Sequence, residues 1–169
     1  YPAGMMVDPI DQAIAQAHRQ AEASDRDITG AVDHFATVVR PTVVRWKLQV
    51  DDLLGGGAGM PTLAVTTADG CHGVLKIAEP GSMDRAVEVM RAAHGRGYVH
   101  ALDWDPAHGA LRTERLGGTL WTEARRLVDQ AHVTVPLLQQ AWEVPLAVGR
   151  QAEHKAHGLA GILDDLGLR

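Results

Sequence analysis

A run of glycines and a lysine on a β-like segment are the residues of this chain best suited to chemistry. Lys76 lies in an apolar stretch after the run. Glycines let backbone N–H groups approach phosphate oxygens, and a lysine on an adjacent strand adds a fixed positive charge. We therefore consider a phosphate site, although spacing alone favours a flexible loop beside an exposed lysine, and the run has no Walker pattern. The glycines are Gly55, Gly56, Gly57 and Gly59.

Two other groups of side chains have the types needed for metal or nucleophilic chemistry. His154 and His157 lie three residues apart on a predicted helix and could share a metal with Glu153. A zinc site needs further converging ligands, so this spacing is more typical of a solvated helix surface. Cys71 and His72 are adjacent, and in an extended strand their side chains point to opposite faces, which argues against a catalytic pair.

Helices are predicted at both ends of the chain. Apolar residues recur at helical spacing from Asp8, which is placed as an N-cap, to about Ala23. A second stripe begins at Ile28 and is interrupted by Pro41, with a short helical continuation over residues 42–48. Further helices are predicted at Leu120–Ala131, Pro136–Trp142 and Glu153–Leu166.

The middle of the chain predicts two hairpins separated by a helix. Thr62–Thr67 and Gly73–Ile77 surround a turn, and Tyr98–Trp104 and Ala110–Leu116 surround another. This order of elements indicates an α+β fold with a small antiparallel sheet. The helix between the hairpins ends near Gly95, and its predicted apolar face consists of Met83, Ala86, Val87 and Met90.

Composition limits the class of protein. The 169 residues carry 16 Lys and Arg against 21 Asp and Glu, for a net charge of −5. Without a basic run, this charge argues against a nucleic-acid partner. No apolar stretch approaches the ~18 residues that a membrane span requires, and the single cysteine cannot form an internal disulfide. We therefore expect a cytoplasmic protein with no membrane partner.

From Arg45 onward, an ordered set of short motifs resembles the N-terminal part of aminoglycoside phosphotransferases, most closely the streptomycin and hydroxyurea phosphotransferase branch. No single motif is specific, but their order and spacing are. The motifs are Ala68-Asp69-Gly70, Val74-Leu75-Lys76, Gly95-Arg96-Gly97-Tyr98-Val99, Asp103 with Asp105, Gly109-Ala110-Leu111, Glu114-Arg115-Leu116 and Ala141-Trp142-Glu143-Val144-Pro145. The implied organisation is N-terminal helices at 1–47, a protein-kinase-like N-terminal lobe at 48–118, and a helical connection toward a further lobe at 119–169.

The resemblance also implies a nucleotide site. Lys76 would pair with ATP phosphates below the loop at 55–59, and the segment containing Glu114 and Leu116 would lie against the adenine. The implied function is that of the N-terminal, nucleotide-binding part of an antibiotic-inactivating small-molecule kinase. The complete enzyme would use ATP with Mg²⁺ to phosphorylate a hydroxyl of an aminoglycoside-type or similar acceptor.

Two departures from the family pattern bear on this interpretation. The family places a glutamate on the helix after the lysine, but Ala86 occupies that position here. Glu88 is the nearest candidate, about 200° away around the helix, and we expect it to pair with Arg91 in solvent. The 169 residues contain no asparagine and no His-Gly-Asp loop, so the base and metal ligands of phosphoryl transfer are missing. The chain is expected to be part of a longer enzyme or a noncatalytic kinase-like module for binding or assembly.

An apolar C-terminal surface is also expected. If a further lobe does not cover this surface, the chain should self-associate through its C-terminal helices or exchange them between copies. The alternative is that these helices fold back on their own sheet and complete a monomer. The apolar residues concerned are Val133, Val135, Leu137, Leu138, Trp142, Val144, Leu146 and Val148.

Overall fold

The computed structural model describes residues 8–25, 27–54, 60–117 and 127–144. Within these ranges the chain forms four helices and five strands. They are α1 Pro9–Glu22, α2 Thr29–Arg45, β1 Leu48–Leu54, β2 Thr62–Thr67, β3 His72–Ile77, α3 Asp84–Ala93, β4 Ala101–Asp105, β5 Ala110–Glu114 and α4 Leu127–Trp142. The strands form one antiparallel sheet in the order β1-β2-β3-β5-β4. The α+β class is confirmed.

Both predicted hairpins are present in the sheet. Strand β2 has the predicted bounds, whereas β4 begins at Ala101 and β5 ends at Glu114, so the second hairpin is shorter than predicted. Gly73 of β3 is buried because the Arg112 side chain crosses it. A Cβ at Gly73 would lie 3.2 Å from Arg112 Cγ and 3.0 Å from the Thr113 carbonyl oxygen, so a side chain at this position would be tightly packed against β5.

The helical continuation predicted over residues 42–48 is confirmed as far as Arg45, and an unpredicted strand, β1, begins at Leu48. Helix α2 ends at Arg45, and Lys47 then takes a φ of 52° between the helix and the strand. The pairing of β1 with β2 shifts between Val50 and Asp52. Such a bulge interrupts the two-residue alternation by which a half-buried strand is recognised, which explains why β1 is absent from the prediction.

The two N-terminal helices follow their apolar stripes, with one correction. Asp8 is the predicted N-cap of α1, because its Oδ1 accepts a hydrogen bond from the backbone N–H of Ile10 at 2.9 Å. The predicted interruption at Pro41 is wrong, since α2 continues through it. Pro41 is exposed, while Val39 and Thr42 on either side of it are buried. Their burial offsets the hydrogen bond that proline cannot make.

The sheet has two different faces. One face packs against α1 and α2. Ala64 and Leu111 are on the opposite face, and both are buried outside the cluster beneath those helices. The exposed Lys76 shares this second face. The cluster on the first face includes Val32, Phe35, Val39, Leu63, Val65, Leu75 and Ile77.

Helices α3 and α4 differ in detail from the predictions. Val87 is buried as predicted, but Ala86 is exposed, and α3 also buries Val89 and Ala93. The predicted break at Pro136 is wrong, because α4 is one continuous helix through this residue. Residues 120–126 and the predicted helix at 153–166 lie outside the described ranges. None of the described helices has both the length and the apolar character that crossing a membrane requires.

Candidate functional site

Lys76 lies in a row of cross-strand neighbours that runs across the sheet. It is opposite Thr62 of β2, which is itself opposite Leu54 of β1, and on its other side it is opposite Leu111 of β5. Directly opposed residues present their side chains to the same face of a sheet. The Lys76 side chain is exposed, whereas Leu111 is 1% exposed. The lysine therefore lies beside a buried leucine, on the face that α1 and α2 leave free.

The glycine segment connects the two strands that precede Lys76 in this row. Strand β1 ends at Leu54 and β2 begins at Thr62, and these two residues are opposite each other. Neighbouring strands are about 4.8 Å apart, so both ends of the segment lie within about 10 Å of the Lys76 backbone. The predicted site residues of the segment lie outside the described ranges: Gly55, Gly56, Gly57 and Gly59.

A strip of small and apolar side chains forms the next row on the same face. Ala64 of β2, Val74 of β3 and Thr113 of β5 are opposite one another. Ala64 and Thr113 are buried, and Val74 is partly buried. Other groups of the protein therefore already cover Ala64 and Thr113, and only Val74 is accessible in part. The strip lies between Lys76 and the end of β5.

Glu114 and Leu116 lie at and beyond the end of β5. Lys76 is opposite Leu111, and a strand rises about 3.4 Å per residue, so Glu114 is about 10 Å further along the sheet. The Glu114 carboxylate accepts a hydrogen bond from the His100 N–H at 2.8 Å, and its own N–H donates to the His100 carbonyl at 3.1 Å. Glu114 thus extends the β4–β5 pairing, while Leu116 is 61% exposed.

Glu88 is engaged with a neighbour on its own helix. Its carboxylate forms an ion pair with Arg85 at 3.1 Å, and both side chains are exposed. The predicted pairing with Arg91 is therefore wrong. Both arginines lie three residues from Glu88, a spacing at which either can reach it. Among the described residues, Lys76 has no carboxylate within ion-pair distance.

A cavity of about 520 Å³ lies between the start of α2 and the end of β3. Met60, the first described residue after the glycine segment, contributes to its wall. Of the predicted site residues within the described ranges, none lines it. The lining residues are Asp27, Ile28, Gly30, Ala31, Met60, Ala78, Glu79 and Ser82.

A charged cluster at the β4–β5 turn has no counterpart among the predicted site residues. Asp105 accepts hydrogen bonds from the Arg45 guanidinium, from His108 Nδ1–H at 2.7 Å and from the Ala107 N–H at 3.0 Å. His34 of α2 donates to the His108 carbonyl at 3.0 Å. Burial would raise the pKa of Asp105, but the hydrogen bonds from His108 and Arg45 outweigh it and hold the pKa below its ordinary value. The spacing of Asp105 and His108 in the turn is the one local signal for this cluster.

The adjacent Cys71 and His72 have separate partners, as strand geometry predicts. His72 Nδ1 lies 2.9 Å from the Thr66 hydroxyl, whereas Cys71 Sγ lies 3.7 Å from an Asp69 carboxylate oxygen. Within the described ranges, no three His, Cys, Asp or Glu side chains converge as metal ligands. The metal-binding candidates from the sequence lie outside these ranges: Glu153, His154 and His157.

Comparison with known proteins gives one informative result. A stretch of 73 residues, 43% of this chain, is 38% identical to hydroxyurea phosphotransferase of Kitasatospora aureofaciens. The chain is distantly related to a phosphotransferase. The match covers 22% of that protein's length. No family model matches the chain, and no solved structure does. The likeness to a kinase lobe therefore depends on the sequence motifs and the order of the elements.

Proposed function

We propose that this chain is the nucleotide-binding part of a small-molecule kinase that transfers the γ-phosphoryl group of ATP to a hydroxyl. The observation that carries the proposal is the row joining Leu54, Thr62 and Lys76. This row brings the two strand ends that flank residues 55–59 close to the lysine. Backbone N–H groups of such a segment and the ammonium group would hold phosphate oxygens together. The distant relationship to hydroxyurea phosphotransferase supports the same reaction class.

Within the strip of Ala64, Val74 and Thr113, only Val74 is partly exposed, and it would contact the base of the nucleotide. The strip continues from Lys76 toward Leu116, and the span of about 10 Å from the lysine row to the end of β5 suits an extended nucleotide. The Glu114 carboxylate already bonds to His100, so we assign it a role in positioning the β5 end. Leu116, which is exposed, would contact the base directly.

The acceptor chemistry is proposed only at the level of its class. Mg²⁺ would neutralise charge on the ATP phosphates, but no carboxylate cluster of the described residues is arranged to hold it. An aminoglycoside-type hydroxyl or hydroxyurea fits the relationship, and such a reaction would inactivate an antibiotic. Because ATP is a cytoplasmic substrate, we place the protein in the cytoplasm. We assign no catalytic base to these 169 residues.

The second candidate is a noncatalytic kinase-like module used for binding or assembly. The pairing of Glu88 with Arg85 favours it, because Lys76 then lacks the carboxylate that orders the phosphate-binding lysine of kinases. The two candidates differ in nucleotide binding, which can be measured. The noncatalytic module would fold normally but would not bind a nucleotide.

Nucleotide binding by the chain tests the proposal. We expect addition of Mg-ATP up to about 10 mM to shift the amide NMR signals of Thr62, Val74 and Leu116. Lys76→Ala should weaken this binding about 10- to 100-fold, because a hydrogen bond to a charged group is lost. Arg91→Ala removes an exposed charge from α3 and is the matched control. Absence of these shifts would favour the noncatalytic module, and an unchanged affinity in Lys76→Ala would refute the assigned phosphate contact.

A further inference from the structure

Three polar side chains from neighbouring strands are joined by hydrogen bonds on the sheet face that carries Lys76. The Thr66 hydroxyl of β2 donates to Asp51 Oδ2 of β1 at 2.6 Å, and His72 Nδ1 of β3 lies 2.9 Å from the same hydroxyl. Asp51 is the extra residue of the β1 bulge, at the point where the register shifts. A bulge redirects side chains, and here it brings the carboxylate within reach of Thr66.

These hydrogen bonds determine which nitrogen of His72 carries the hydrogen. A carboxylate only accepts hydrogen bonds, and a threonine hydroxyl has one proton to donate. Thr66 donates its proton to Asp51, so the Thr66 oxygen accepts from His72, and Nδ1 carries the hydrogen. In the neutral imidazole, Nε2 is then an acceptor. Because His72 is exposed, a ligand can reach this acceptor.

His72 lies toward the end of the sheet at which β5 ends. On β3, His72, Val74 and Lys76 are two residues apart, so they share one face at intervals of about 7 Å. Gly73, beside His72, is opposite Glu114, the last residue of β5. Along this face the order is therefore the lysine, the partly exposed valine and the histidine acceptor, over about 14 Å.

We propose that His72 Nε2 accepts a hydrogen bond from the 6-amino group of adenine, an assignment that rests on the proposed nucleotide site. With the phosphates at Lys76 and the base against Val74, the edge of the base that points away from the phosphates lies toward His72. In adenine this edge carries the 6-amino group, which is a donor, whereas guanine carries an oxygen acceptor there.

The acceptor on His72 would therefore select between the two purines. Two acceptors that face each other leave a polar group unpaired, so guanine is disfavoured at this position. His72 is in this way a specificity-determining residue for the nucleotide. Thr66 and Asp51 are positioning residues, because they act on the base only by holding the hydrogen of His72 on Nδ1.

A comparison of two nucleotides tests the proposal. Purine riboside triphosphate differs from ATP only in lacking the 6-amino group, so the ratio of the two affinities isolates that group. In amide NMR titrations of the 169-residue chain, we expect Mg-ATP to bind about 5-fold more tightly, as for one net hydrogen bond. In His72→Phe the two nucleotides should bind equally. His18→Phe changes an exposed histidine of α1, is the matched control and should keep the wild-type ratio.

The role of Thr66 is tested first without nucleotide. Nitrogen NMR of the imidazole above neutral pH should find the hydrogen of His72 on Nδ1. Thr66→Val removes the acceptor of this hydrogen, so part of the population should carry it on Nε2 and the preference for ATP should fall. Thr66→Ser keeps the hydroxyl and should retain both the tautomer and the preference.

Each of four results would overturn the proposal. A hydrogen on Nε2 in the wild-type protein would leave no acceptor for the amino group. Equal affinity of the wild-type chain for the two nucleotides, or a preference for ATP that persists unchanged in His72→Phe, would remove His72 from recognition of the base while leaving nucleotide binding intact. Absence of binding by both nucleotides would contradict the proposed function itself, and the role of His72 with it.

Discussion

Substitution of Asp105 tests how much the interactions between the β4–β5 turn and α2 contribute to stability. The Asp105 carboxylate is 16% exposed and accepts hydrogen bonds from Arg45, His108 and the Ala107 N–H. The two side-chain partners come from different parts of the fold, because Arg45 belongs to the end of α2 and His108 to the turn itself. Asp105→Ala therefore removes the one acceptor that these donors share.

The expected loss follows from the exposure of those donors. Arg45 and His108 are 46% and 49% exposed, so water can solvate them once the carboxylate is removed, and each of these two side-chain contacts contributes no more than about 1 kcal/mol. The bond from the Ala107 N–H adds about 1 kcal/mol. We expect Asp105→Ala to lower the free energy of unfolding by about 1 to 3 kcal/mol. Asp105→Asn keeps an acceptor for the backbone and should lose about half as much.

Urea unfolding at pH 7 and at acid pH measures this contribution. The pKa of Asp105 is lowered in the folded state, so its stabilisation is complete above the unfolded aspartate pKa of about 3.9. The contribution is lost as pH falls through the lower folded pKa, and the gap between wild type and Asp105→Ala should close there. Glu88→Ala, which breaks an exposed pair on α3, is the control and should stay within about 0.5 kcal/mol. An equally small effect of Asp105→Ala at pH 7 would refute the reasoning.

Two further predictions concern α4 and the chemistry. Gly97 has a φ of 69° and lies against α4, so Gly97→Ala should lower the free energy of unfolding by about 2 kcal/mol. Gly30→Ala enters open space and serves as the control, and equal urea midpoints would contradict the α4 contact. The 169-residue chain alone should transfer no phosphate from ATP to aminoglycosides or hydroxyurea, because it lacks the family's base and metal-ligand motifs. This prediction would be contradicted if the chain released ADP in an acceptor-dependent reaction and a substitution in the chain abolished that release.

The amino-acid sequence by itself determined the α+β class, both hairpins and the N-cap of α1. These features are encoded locally, by alternation, turn residues and a capping side chain within a few positions. The candidate pair of glycine segment and lysine also came from the sequence, through residue types and their order. Its interpretation as a nucleotide site came from the resemblance to phosphotransferases, and it stays a prediction.

Only the tertiary structure decided how distant segments meet. The bulge of β1 disrupts its sequence pattern, and the strand forms because β2 pairs with it. Helix α2 continues through Pro41 because the residues around the proline are buried. The partner of Glu88 depends on side-chain rotamers within α3. Arg45 and Asp105 are sixty positions apart, and nothing local relates them. The row through Lys76 likewise depends on strand register, which is set by burial of one sheet face and not by any single segment.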